Sequence, residues 1–185
     1  MRHTTNMPQL ISTPAAGFDQ PFEMLDACHE RVDRTLDLLQ RLVDHIDTKG
    51  HDASSRSAAT DVMRYFDLAA PHHHLDEDRH VSPPLLTSGN LEWISAVKTL
   101  LQDHEDLHRQ WADLREVLQH WASEDPTAGV VSASTHQAVR TYCARYAQHK
   151  QLEDGVVYPA ARSLMASPAA LQAMGAEMRE RRQQH

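Results

Sequence analysis

The stretch Pro71-His72-His73-His74-Leu75-Asp76-Glu77-Asp78 sets three imidazoles and three carboxylates within eight residues. Its spacing says more than its composition. His73-x-x-x-Glu77-Asp78 is followed by Pro83, ten residues after the histidine. The same order returns once, as His149-x-x-x-Glu153-Asp154 with Pro159 again ten residues on. Upstream of each copy stands a His-Glu pair, His29-Glu30 and His104-Glu105, at offsets of 75 and 76 between the copies. The chain therefore reads as two copies of a helical hairpin, each carrying one histidine and then an HxxxED.

Working outward, the apolar residues recur in three- and four-residue steps, the period of an amphipathic helix. The first helix starts near Asp19-Gln20-Pro21, runs through Phe22, Leu25, Val32, Leu36, Leu39, Val43 and Ile46, and closes at Gly50. A second runs from about Ser54 along Val62, Phe66 and Ala69 to Pro83-Pro84. A third, capped at Ser88-Gly89-Asn90, carries Ile94, Val97, Leu101, Trp111, Leu114, Leu118 and Trp121. A fourth follows Asp125-Pro126 to Gly129 and runs through Val139, Tyr142 and Tyr146 to about Val157. A shorter fifth is signalled by Ser167-Pro168, with Leu171, Met174 and Met178 on one side. No stretch alternates with period two for long enough to propose a sheet. The expected fold is all-α: an up-down-up-down four-helix bundle over 19–162, with a flexible N-terminal arm over 1–18 and a C-terminal helix or tail over 163–185.

The stripes carry the wrong residues for a plain core. Leu25 plus four is His29; Ala69 plus four is His73, and four more is Glu77. Leu101 leads to His104, His108 and Trp111, and Tyr146 to His149 and Glu153. All four helices thus turn at least one histidine inward, and two add a carboxylate one turn later. Burying five imidazoles and two carboxylates without a cation would be costly, because uncompensated charge is disfavoured in a core. His72 and His74 sit about 100° either side of the stripe and are expected beside the ligands or at the surface. His45, His51, His80, His120 and His136 have no repeat-matched partner and are read as solvated.

Composition narrows the class. With 185 residues, 24% charged and 41% hydrophobic, the chain is long enough for one domain with a real core. No apolar run approaches a membrane span and no charged-then-apolar leader opens it, so a cytoplasmic protein with no membrane partner is expected. A net charge of −8 argues against nucleic acid, which is bound by clustered Lys and Arg. Cys28 and Cys143 are isolated and read as reduced packing residues. Histidine is the outlier, with fourteen.

Imidazole and carboxylate ligands without thiolate suit iron, manganese or zinc, and seven ligands exceed what one tetrahedral zinc can use. The ordered pattern, with Pro83 and Pro159, resembles the hemerythrin-like, HHE cation-binding family over about residues 20 to 162. The resemblance implies two iron ions joined by an oxo or hydroxo group, with zinc or manganese as substitutes. His104, His108 and His149 would hold one iron, and His29 and His73 the other, open for dioxygen. Glu77 and a carboxylate of the fourth helix would bridge. Both Glu153 and Asp154 fit patterns seen among hemerythrin-like proteins; the internal repeat favours Glu153, since Asp154 lies about 140° from His149. Ser82 replaces the family's usual aromatic before the proline and is expected to open that end. Pro71 is expected to kink the second helix.

A ferritin-like di-iron bundle is the rival. Glu77-x-x-His80 and Glu105-x-x-His108 satisfy its ExxH motif. They fall on the second and third helices, and that reading leaves four inward histidines without a role. The function expected is reversible binding or sensing of dioxygen or a related small ligand. The alternatives are iron or redox handling in response to nitric oxide or peroxide, and a di-iron oxidase. No nucleophile or Gly-rich phosphate loop supports an enzyme over a metal- and gas-binding module, and a homodimer is left open.

Overall fold

A computed structural model describes residues 17–183; of the expected N-terminal arm, residues 1–16 lie outside them. The described chain is helical with no strand. Helix α1 spans Pro21–Lys49. Helix α2 is a continuous rod over 53–86, opened by a capping box in which Asp52 and Ser55 each accept from the other's backbone N–H. Helix α3 spans Leu91–Ala122, with the Asn90 side chain accepting from the N–H groups of Glu92 and Trp93. Helix α4 runs over 133–164 and α5 spans Pro168–Gln183. Packing is cyclic: α1 on α2, α2 on α3, α3 on α4 and α4 on α1.

Two apolar cores fill the bundle, and their order along each helix fixes the topology. One holds Val32 to Ile46 of α1, Ala59 to Ala70 of α2, Leu107 to Trp121 of α3 and Val139 to Tyr146 of α4. The other holds Phe22 to Leu25, Val81 and Leu85, Ala96 to Leu100, and Val157 to Ala161 of the same four helices, with Met174 and Met178 of α5. The sequence order of the cores reverses from each helix to the next, as antiparallel neighbours require. Each helix passes between them at His29, His73 to Glu77, His104, and His149 to Glu153. The polar layer is therefore one slab across the bundle, walled by apolar side chains above and below.

Three wide turns interrupt α2 and α4, and they share a cause. At Tyr65–Ala69, Glu77–Val81 and Glu153–Val157 the backbone bonds five residues apart. Each turn ends with a residue whose N–H reaches back to its first carbonyl: Ala70 to Tyr65, Ser82 to Glu77, and Tyr158 to Glu153. The next residue in each case is a proline: Pro71, Pro83 or Pro159. Proline lacks the N–H for the ordinary bond four residues back, and its ring collides with that carbonyl. Widening the preceding turn moves the carbonyl aside and lets the helix continue. Pro83-Pro84 consequently does not end the second helix, which continues to Leu86. Each extra residue also shifts the register, so Ala70 and not Ala69 is buried. In α3 the buried residue is Leu100, with Leu101 at the edge of the stripe.

Helix α5 closes one end of the bundle. Asp76, wholly buried, accepts from Arg181 at 2.7 Å and from Arg182 at 2.5 and 3.2 Å. Glu177 gathers Arg79, His80 and Arg181. Gly175 lets the segment entering α1 cross close by, since a Cβ there would meet the Phe18 carbonyl oxygen. No helix among the described residues is long and apolar enough to cross a membrane.

Candidate metal centre

Six of the sequence-predicted residues meet in the slab: His29 of α1, His73 and Glu77 of α2, His104 of α3, and His149 and Glu153 of α4. All six are buried, and both glutamates are wholly so. Their donor atoms form two overlapping groups, His29–His73–Glu77–Glu153 and Glu77–His104–His149–Glu153, each within 4.8 Å. The glutamates belong to both.

Each carboxylate aims one oxygen at each group. Glu77 Oε1 lies 3.7 Å from His73 Nε2 and Oε2 lies 3.3 Å from His104 Nε2. Glu153 Oε2 lies 3.0 Å from His29 Nε2 and Oε1 lies 3.0 Å from His149 Nε2. The ring pairs match as well: His29 on His73 at 5.1 Å, and His104 on His149 at 4.9 Å, both edge to face.

The aspartates after the two glutamates do something different. Asp154 Oδ1 lies 2.9 Å from His29 Nδ1, and Asp78 Oδ1 lies 2.9 Å from His104 Nδ1. Each hairpin's aspartate thus holds the outer nitrogen of the other hairpin's lone histidine, leaving Nε2 aimed inward. Asp154, weighed in the sequence as an alternative to Glu153, turns toward solvent beside His29, while Glu153 enters the centre.

His108 does not join them. It is exposed on α3, lining a small cavity with Trp111. The reason is angular: His104 lies toward one edge of the buried stripe of α3, whose members Leu100, Leu107, Trp111, Leu114 and Leu118 fall about 20–80° to one side of it, and His108 lies about 40° to the other. His74, expected from the sequence beside the ligands or at the surface, has a nitrogen within 4.8 Å of those of His104 and His149. Tyr158, absent from the expected set, donates its phenol hydrogen to Glu77 Oε1, approaches His29 Nε2 at 3.1 Å and stacks on the His29 ring. Its signal was Pro159: counted against Pro83, Tyr158 stands where Ser82 does in the first hairpin. Ser82 does not open the end of the bundle; it is 1% exposed, under the core around Leu85.

The electrostatics are those of a site short of positive charge. Burial pushes Glu77 up, and the neighbouring Glu153 carboxylate pushes it further, to about 8. Glu153 is held low despite burial, by His149, His104 and His29. Burial lowers His104, but the carboxylates of Asp78, Glu153 and Glu77 outweigh it and carry the ring to about 11. His29 is raised in the same way, with Glu153 overcoming burial. His73, wholly buried, falls to about 3.

Hydrogen bonding does not satisfy the slab. Glu77 Oε2, both Glu153 oxygens, His104 Nε2 and His149 Nε2 are buried without a bond of proper geometry despite the short approaches. Buried polar atoms are ordinarily paired. Carboxylate oxygens and imidazole nitrogens converging without well-formed hydrogen bonds between them fit cations placed there. Outside the slab, His51 ties Ser55 to the Ser123 carbonyl, His45 meets Asp52, and His136 meets Asp47.

A family model described as hemerythrin HHE cation-binding domain matches residues 20–161, most of the chain and all of the slab. An uncharacterized protein of Haemophilus influenzae is 32% identical over 117 residues, covering 63% of this chain and 65% of that protein. The match thus spans just under two thirds of that relative's length. With the family match lying across the same four helices whose histidines and glutamates converge, the chain belongs to the hemerythrin HHE cation-binding domain family.

Proposed function

We propose that this chain is a non-haem di-iron protein that binds dioxygen or a related small ligand, for oxygen binding or sensing. The observation that carries the reading is the pair of four-donor groups sharing Glu77 and Glu153. His29 and His73 would hold one ion, His104 and His149 the other, and the two glutamates would bridge them. Iron bound there would supply the electrons that binding of a diatomic ligand draws on. The protein's share is to hold and screen. Asp154 and Asp78 fix the imidazoles of His29 and His104, and the Tyr158 hydroxyl fixes the Glu77 carboxylate. The apolar cores on either side keep bulk water from the slab.

The space beside the slab, which reaches His74 and none of the six residues of the centre, suits a small ligand and not an organic substrate. A cavity of about 30 Å³ adjoins His74 between Phe66, Ala70, Leu107 and Tyr146. That is room for about one water-sized molecule. A cytoplasmic setting belongs to the same proposal and fits the free thiols Cys28 and Cys143.

The test is anaerobic loading with ferrous iron, metal analysis, and optical spectra before oxygen, after oxygen and after its removal. Two irons per chain and a charge-transfer band that comes and goes with oxygen are expected. One metal per chain, or undiminished metal in a His73→Ala, His149→Ala double variant, would overturn the site. Irreversible oxidation with peroxide release would replace oxygen binding by redox handling.

A further inference from the structure

We propose that His74 is a metal ligand of the position formed by His104 and His149, so that this position has three histidines and the other has two. The inference rests on the two-position reading above and adds a donor to it. One nitrogen each of His74, His104 and His149 lie within 4.8 Å of one another. The His74 ring is parallel to that of His104, 9° between planes and 4.2 Å between centroids, and meets His149 edge to face at 5.5 Å. Nε2 of His74 and Nε2 of His104 are both buried and unpaired. Parallel rings hold their lone pairs in parallel planes, so the His74 ring would turn on its Cα–Cβ bond to aim Nε2 at an ion shared with His104, and the cavity of about 30 Å³ beside it gives the ring that room. A ring serving only as filler would leave a polar nitrogen buried for no return.

The helix explains how one segment serves both positions. On α2, His73 and His74 are about 100° apart, and Glu77 falls angularly between them, about 40° from one and about 60° from the other. His73 faces the group of His29, His74 faces that of His104 and His149, and the shared glutamate sits between. The second hairpin has no such pair. The residue in the place of His74 is Lys150, which turns out to Asp33. His74 is thus an unrepeated donor, and it stands on one position only.

The test uses cobalt(II) under anaerobic conditions on the full chain, comparing the natural protein with His74→Phe, His74→Gln and His108→Ala. Phenylalanine keeps the stack on His104 and removes the nitrogens; glutamine covers the case in which phenylalanine disturbs folding, which melting of the metal-free protein reads. The readouts are binding isotherms and the count of solvent-exchangeable, paramagnetically shifted ring N–H resonances. Two cobalt ions and five such resonances are expected for the natural protein and for His108→Ala. His74→Phe and His74→Gln are expected to lose one resonance and to bind one ion at least ~10-fold more weakly, with the other unchanged. Two ions held at natural affinity with no resonance lost on changing His74 would overturn the proposal and leave the six-residue site standing. Fewer than two ions in the natural protein would overturn the site itself, and a resonance lost in His108→Ala would return the third histidine to α3.

Discussion

The two hairpins of the bundle, α1–α2 and α3–α4, agree wherever a residue faces the centre along the repeat and differ beside it. His29, His73, Glu77 and Asp78 match His104, His149, Glu153 and Asp154 in order, in burial of the first three and in the cross-hairpin Asp–His contacts. Around that frame the first hairpin offers His74, Asp76 and Ser82, where the second has Lys150, Leu152 and Tyr158. With a pseudo-twofold frame and unequal surroundings, the two proposed metal positions would be alike in their shared carboxylates and unlike in their neighbours.

The matched residues give the largest expected effects, and on metal binding equal ones. Glu77→Gln and Glu153→Gln each replace one of the two oxygens aimed at the two proposed positions with a non-ligating amide nitrogen and remove the shared negative charge, so each is expected to abolish binding of both ions, read as metal content after dialysis. In the metal-free chain the two changes are expected to differ: Glu77 already carries a proton at neutral pH, so Glu77→Gln should shift urea unfolding by less than ~1 kcal/mol, whereas Glu153→Gln removes the carboxylate that His149, His104 and His29 face and should cost ~1–3 kcal/mol. A variant that keeps one ion would break the claim that the carboxylates are shared.

Proton release is the next test, and it weighs the hairpins together. In the metal-free chain Glu77 is raised to about 8 and His104 to about 11, so both carry a proton at neutral pH. Both must lose it to act as ligands, and a raised pKa on a protonated ligand makes metal uptake weaken as pH falls. Below about pH 8 loading is expected to release about two protons or more, and the overall loading constant to fall by roughly a hundredfold per pH unit. Calorimetry of metal uptake in buffers of different ionisation heat counts these protons directly. A count near zero would mean that the slab is already deprotonated without metal.

The matched frame was legible because it is written in spacing. The three- and four-residue steps found all five helices, and the repeat singled out His29, His73, Glu77, His104, His149 and Glu153. What the sequence hid were departures from the straight helix. The three wide turns insert a residue each, so the stripe marked by Ala69 moved to Ala70, and the end expected at Pro83-Pro84 became a continuation. The prolines that cause these turns were visible, but as breakers. His108 was chosen by an i, i+4 step that α3 does not follow past His104, while His74 was set aside for standing next to the stripe in a helix whose polar face is two residues wide. Tyr158 could be found only by asking what the second hairpin has where the first has Ser82.

Removing an unmatched support should cost stability in one hairpin without touching the frame. Asp76→Leu copies Leu152 into the first hairpin and strips α5 of its buried anchor. Arg181, 7% exposed, then loses the contact to Asp76 and keeps Glu177. Breaking one side of a buried ion pair typically costs ~3–5 kcal/mol, and the surviving Glu177 contact places the expectation at the lower end, ~3 kcal/mol in urea unfolding. Metal stoichiometry should stay at the natural value. Loss of metal along with stability would show that α5 positions the adjacent Glu77 through Asp76, and would tie the closing helix to the centre.

The smallest effects are the most discriminating, because they are expected to have opposite signs at equivalent positions. Tyr158→Phe removes the phenol hydrogen that holds Glu77 and the contact to His29 Nε2, all of it buried. The cost to the metal-free chain should be ~1–2 kcal/mol, that of a hydrogen bond to a buried carboxyl group. Ser82→Ala at the matching place removes a buried hydroxyl that has no hydrogen-bond partner, and a gain of ~1 kcal/mol is expected, since an unpaired hydroxyl in a core is a penalty and not a bond. Paired urea unfolding curves, run with a chelator and again after metal loading, measure both. If the two substitutions shift the metal-free midpoint in the same direction, Ser82 has a partner that the apolar wall conceals, and the two halves of the slab are more alike than their sequences. If the signs are opposite and the Tyr158→Phe loss shrinks on metal loading, the phenol is doing for Glu77 without a cation what the cation does when present.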